Sequence, residues 1–195
     1  MPGSTRPLGK DTYVRQTTVA TVGSDAAIGA NYYLTHRPKG FRDDCSGFVC
    51  ASYHRAGVPM NGTVASLWEI AKKNRYTHKR KRPRIGDLVF FDDTYDRNKD
   101  GKLNDDLTHI GIVLSVDDNG TITVAHSGTS KGRTTMKMNL YHPDVHKAAD
   151  GRVLNNFLRR KTNKDRRKTQ YLSGQLFRGF ATVKREDAPT WATNR

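Results

Sequence analysis

Thiols are scarce in this chain: only Cys45 and Cys50 among its 195 residues. Both fall in a stretch with helical spacing. Five residues along a helix separate the Cα atoms by roughly 8–9 Å and turn them to different faces. A disulfide spans at most about 7 Å, so a disulfide scaffold is excluded and Cys45 is expected to be a free thiol. Long apolar runs are missing too: no stretch reaches the roughly 18–20 residues of a membrane span. The opening MPGSTRPLGK has no apolar segment of the kind a secretory signal needs. Apolar residues make up 35% of the chain and aromatics 9%, which predicts a compact core with sizeable polar excursions. Acidic residues are outnumbered, 19 against 34 lysines and arginines, for a formal charge of +15. That excess suggests polyanionic surroundings: nucleic acid, anionic lipid or a phosphate-bearing envelope. Two basic runs carry much of it, HKRKRPR at 78–84 and RRKTNKDRRK at 159–168. Neither has interleaved aromatics or a recognised nucleic-acid motif, which disfavours nucleic acid as the partner.

What is present divides by period, and there is no internal repeat. Residues 1–16 are a polar lead-in expected to fray. SDAAIGANYY predicts a helix over 24–33 capped by Ser24. A better-marked helix follows: Asp44 is a strong N-cap, and Phe48, Val49, Ser52, Tyr53 and Ala56 recur at three-four spacing. Gly57 sits at the C′ position with Pro59 just beyond. A third helix, capped by Thr63, is expected to bury Leu67, Ile70 and Ala71. The pattern then turns to strands: Ile85–Phe91, a run from His109, TITVAH ending at His126 after the turn Asp118-Asn119-Gly120, and QLFRGFATV at 175–183. Helices first and a mostly antiparallel sheet second define an α+β class. The expected organisation is one domain over 17–185, with a basic insertion at 133–174 and a tail at 186–195.

The chemistry centres on RDDCSGFVCASYHRAGV. Cys45 falls on the first turn of its helix, where the dipole and free N–H groups favour a thiolate. Asp44 beside it opposes this unless its carboxylate is occupied. A thiol nucleophile needs a base on a stiff element. His109 opens one strand and His126 closes its hairpin partner; strands about 4.8 Å apart can bring the two rings within hydrogen-bond reach. Cys50 reads as a buried small residue. The same three side chains could hold zinc, but short-spaced ligand pairs are lacking.

Three blocks, DDCSGFVCASYHRAGV, RPRIGDLVFFDD and LTHIGIVLSVDDNGTITVAHSGTSKG, resemble the NlpC family of papain-like cysteine peptidases that cut bacterial cell-wall peptide stems. They cover roughly residues 41–132. The resemblance implies Cys45 as nucleophile, His109 as general base and His126 as the orienting member. It implies that Asp44 and Ser46 line the substrate cleft, Asp44 meeting a free amine, and that a tyrosine borders it: Tyr33, with Tyr32 the alternative. The scissile bond would join D-glutamate to a diamino acid, with no cofactor needed for the chemistry. Peptidoglycan stems and anionic envelope polymers are the expected partners, and the expected location is secreted, periplasmic or wall-associated.

One further motif stands apart. Asp96, Asn98, Asp100, Lys102 (through its carbonyl) and Asn104, with Gly101 at the sixth position, match the first nine positions of a calcium loop. Leu107 takes the place of the closing glutamate, with Asp105 or Asp106 as substitutes. A structural calcium ion is therefore a candidate, set against a plain polar turn. Two other classes stay open: a catalytically silent module that binds wall or polyanion, and an antibacterial toxin with the same hydrolytic chemistry.

Overall fold

The computed structural model describes residues 21–128 and 131–192; the expected lead-in at 1–16 lies outside them. Three helices come first: α1 (Val22–Tyr33), α2 (Cys45–Arg55) and α3 (Val64–Lys73). Six strands follow: β1 (Thr77–His78), β2 (Leu88–Phe91), β3 (His109–Val116), β4 (Thr121–Gly128), β5 (Gly132–Asn139) and β6 (Phe177–Ala181). A 3₁₀ helix over Arg185–Trp191 closes the described chain. The sheet order is β1-β6-β2-β3-β4-β5, with every pairing antiparallel. The α+β, papain-like class expected from the sequence is what forms.

Caps define the helices. Asp44 accepts from the Gly47 N–H at 2.7 Å, and Thr63 and Ser66 form a reciprocal capping box at α3. The cap of α1 is Thr21, not Ser24: the Ser24 N–H donates to Thr21 Oγ1 at 3.1 Å. Either residue type can cap, and Thr21 starts the helix two residues earlier. In α3 the buried ring is Trp68, while Ile70 is only partly covered.

The core has two compartments, one on each face of the sheet. Phe90, Ile110, Ile112 and Ala125 meet the helices on one side. Val89, Phe91, Val113 and Val124 face the other side, where Leu176, Met136 and Met138 join them. The four residues of β2 are therefore buried without alternation, as a strand covered on both faces requires.

The cover on the second face comes from the segment expected to be a basic insertion. Its first part is β5, paired with β4 along eight residues from Thr121↔Asn139 to Gly128↔Gly132. Residues beyond β5 fold back over the sheet and are fixed by buried amides. Asn155 Oδ1 accepts from the Asn139 N–H at 2.8 Å, and Asn155 Nδ2 donates to the carbonyls of His142 and Val145. The end of the chain is also built in: Trp191 is fully buried and stacks on Tyr76 at 5.8 Å. The segment expected as a tail thus reaches the helical core. Trp191→Ala is expected to cost about 3–5 kcal/mol, read as a lower melting temperature by calorimetry. A shift within the error of the melt would show that this segment is a passenger.

Candidate active site

Cys45 is the first residue of α2, half-buried, and a free thiol. The local sequence sets its place. Gly47 packs so closely on the preceding loop that a Cβ there would lie 1.9 Å from the Arg42 carbonyl oxygen. Only glycine allows that approach, which seats the first turn of α2 on the preceding loop. Desolvation pushes the Cys45 thiol up from its ordinary pKa. The Ile110 N–H pulls it down, the Asp44 charge raises it, and the N–H groups of Ser46 and Cys45 itself lower it. Cys45, His109 and His126 line the same cleft.

His109 opens β3 and His126 lies on β4, both buried. Their rings meet edge to face, with His109 Nε2 and His126 Nδ1 sharing a hydrogen bond at 2.9 Å. That bond occupies the Nε2 edge of His109 and leaves its Nδ1 edge available. The Phe91 ring lies 6.1 Å from that of His109. Burial, with His126 adding repulsion, lowers the His109 pKa from 6.5 to about 3. Burial, with Lys131 adding repulsion, lowers that of His126 to about 4. Both rings are neutral at pH 7, so the resting site is a neutral thiol beside a neutral imidazole pair.

Asp44 and Ser46 line the cleft with Cys45, but their polar atoms are engaged. Asp44 Oδ1 accepts from the Gly47 N–H and from Ser46 Oγ at 2.8 Å. Asp44 Oδ2 pairs with Arg42 Nε at 3.2 Å, and Arg42 also donates to Ser46 Oγ. The occupied carboxylate that a thiolate neighbour requires is present; a bare one for a substrate amine is not.

The cleft around these groups measures about 960 Å³. Tyr33 is not among the residues lining it; it ends α1 and packs against the helical core. Tyr32, the alternative, stacks on His36 at 3.9 Å and lies under the Arg55 guanidinium. The tyrosine that lines the cleft is Tyr95, 52% exposed. The sequence reading also missed Phe157, Arg160 and Lys131, which line the opposite wall. β5 was legible, since Met136 and Met138 alternate with Lys137 at a period of two, but Phe157, Arg160 and Lys131 carry no such local signal.

The 96–104 loop adopts the turns of a cation loop. Asp96 accepts from the Asp100 and Gly101 N–H groups, Asn98 from that of Asp100, and Asp100 from that of Lys102. Gly101 has φ +72°, in the region that favours glycine. The N–H of Lys102, with the Asn104 amide next, holds the Asp100 carboxyl below its ordinary pKa. The closing position does not fit as well. Asp105 is buried and accepts from the Arg97 N–H, while Asp106 pairs with Arg178 at 3.2 Å. Among the described residues no group of three or more acidic, histidine or cysteine side chains is placed to hold a metal ion, and the side-chain oxygens of this loop accept from its own N–H groups, as in a polar turn.

Among known families, the CHAP domain model matches residues 36–128, a little under half of the chain. CHAP domains are found in NlpC/papain-like cysteine peptidases and amidases acting on peptidoglycan. The resemblance read from the sequence is therefore shown, and it rests on the stretch holding Cys45, His109 and His126. The match suggests a peptidoglycan hydrolase or amidase, generally dependent on cysteine or histidine. No curated protein and no solved structure matches the chain. No described helix is long and apolar enough to cross a membrane.

The two neutral imidazoles make stability depend on pH in a defined direction. Between pH 6.5 and about 4 the unfolded chain protonates these histidines and the native state does not, so stability falls as pH drops through that window. His126→Gln removes one of the two groups, so its melting temperature should fall less steeply from pH 7 to pH 4 than that of the wild type. Parallel curves in a thermal-melt series would contradict the buried neutral assignment.

Proposed function

We propose that the protein is a cysteine-dependent hydrolase of amide bonds in peptidoglycan peptide stems, with Cys45 as nucleophile, His109 as general base and His126 as the orienting residue. The single observation that carries this reading is the placement of all three groups in one cleft. Cys45, His109 and His126 line it together, and the His109 ring is held at its Nε2 edge by His126. In this mechanism His126 Nδ1 accepts from His109 Nε2–H, which leaves a lone pair on His109 Nδ1. That nitrogen takes the thiol proton as sulfur attacks the amide carbonyl, and N–H groups at the start of α2 steady the oxyanion. The imidazolium then protonates the leaving amine, and water releases the acyl group. Burial makes the ion pair costly at rest, so it forms as negative charge passes to the substrate oxygen.

By family resemblance the preferred bond is that between D-glutamate and a diamino acid, and the site of action is the bacterial envelope, outside the cytoplasm. The exposed basic loop at 79–84 supports retention on anionic wall polymers. Mass spectrometry of fragments released from purified peptidoglycan tests the reading. The wild type is expected to release stem fragments ending in D-glutamate. Cys45→Ala should release none, and His109→Ala should be slower by ~10²–10⁴-fold. Fragments that begin at the first stem residue would instead identify an amidase acting where stem meets glycan. Equal release by Cys45→Ala would rule out the thiol mechanism.

The turns of the 96–104 loop favour a second component: a weak structural calcium site whose oxygen donors are Asp96, Asn98, Asp100, the Lys102 carbonyl and Asn104. The ion would stiffen the connection into His109 and supply no chemistry. Calorimetric titration is expected to show one site of millimolar-range affinity, the range of extracellular modules, that Asp96→Asn weakens. Absence of heat at millimolar calcium would eliminate it.

A further inference from the structure

The wall of the cleft opposite α2 is built by residues beyond the family match, and its chemistry differs from that expected of the catalytic side. Phe157 is 64% exposed, yet its position is fixed. It sits 4.7 Å from the His146 ring, and its backbone bridges to Leu172. The next two N–H groups, of Leu158 and Arg159, both donate to the Tyr171 carbonyl. Arg159 is 4% exposed; it donates to the Asp93 carbonyl at 2.6 Å and pairs with Asp165 at 3.7 Å. This buried arginine ties the 157–160 segment to the loop that carries Tyr95. The wall is therefore a rigid part of the cleft.

Charge decides what such a cleft accepts. Its two carboxylates are already neutralised: Asp44 by Arg42 at 3.2 Å, Asp43 by Arg37 at 3.0 Å and Arg133 at 3.4 Å. Its remaining cations are not. Arg97 reaches only the carbonyls of Asp106 and Leu107. Lys131 and Arg160 line the cleft, are exposed, and have no ion-pair or hydrogen-bond partner among the described residues. A ligand amine would meet paired acids and free cations; a ligand carboxylate would meet free cations beside exposed aromatic rings.

We propose that this wall is a carboxylate-reading subsite: it takes an anionic stretch of the peptide substrate, with Arg160 and Lys131 meeting free carboxylates and Phe157 forming the apolar floor. The inference deepens the hydrolase reading and rests on it for the identity of the scissile bond. It replaces the expectation that Asp44 selects a free amine. Unlike the nucleophile and base, these residues set which peptides are cut, so walls whose stem carboxyls are amidated are poor substrates.

The test uses two synthetic stem peptides that differ only in having their carboxyl groups free or all amidated. Hydrolysis is measured with the full-length wild type and with the double variant Arg160→Gln, Lys131→Gln. Calorimetric binding is measured with Cys45→Ala. Wild type should favour the free acid by roughly tenfold or more in kcat/KM, the size of one charge-assisted hydrogen bond. The double variant should bring that ratio toward one while its melting temperature stays that of the wild type. Equal wild-type rates, or a preference for the amide, overturn the subsite. If neither peptide is cut, binding separates the two ideas. Acid-selective binding to Cys45→Ala keeps the subsite and removes the hydrolase reading, whereas unselective or absent binding overturns the subsite.

Discussion

The first turn of α2 lies against the first residues of β3, and the rest of the site depends on that contact. It brings a thiol at a helix N-terminus into one cleft with the histidine that opens the strand. Gly47, with no side chain, lets the start of the helix sit against the Arg42 carbonyl. That seating persists because Asp44 uses its carboxylate to cap the helix and to pair with Arg42. One short motif therefore supplies the reactive group, fixes its direction and disposes of the charge that would oppose a thiolate.

Burial governs the chemistry available there. Both imidazoles are covered, and desolvation is the main reason that their pKa values fall far below 6.5. The thiol is pushed in the opposite direction by the same cause. A neutral resting site follows, unlike the pre-formed ion pair that helix position alone would favour. Under the proposed mechanism, charge separation is coupled to substrate entry, which keeps the nucleophile quiescent in the absence of substrate.

The sheet joins this site to the other wall of its cleft. A strand buried on both faces, such as β2, needs two covering layers. The helices provide one, and the segment after β5 provides the other. Residues of that second layer, Asn156 to Leu158 and Arg160, also line the cleft. A basic stretch that reads as decoration on the sequence is thus part of both the structural cover and the cleft wall.

The caps of α2 and α3, the hairpin turn, the α+β order and the candidate trio of Cys45, His109 and His126 were legible in the sequence because each rests on local spacing or a compact motif. Tyr33 was misplaced because nothing local distinguishes a tyrosine facing a cleft from one packed on a helical core. Tyr95, Phe157 and Arg160 were missed because their nearness to Cys45 comes from loops that meet only after the sheet has formed. Sequence by itself determined the elements, the expected chemistry of the thiol and the surplus of positive charge, since these depend on residue type and neighbours along the chain. Only the tertiary structure decided which acids are neutralised, which cations stay free and which rings are buried, since those depend on groups distant in sequence sharing one low-dielectric space.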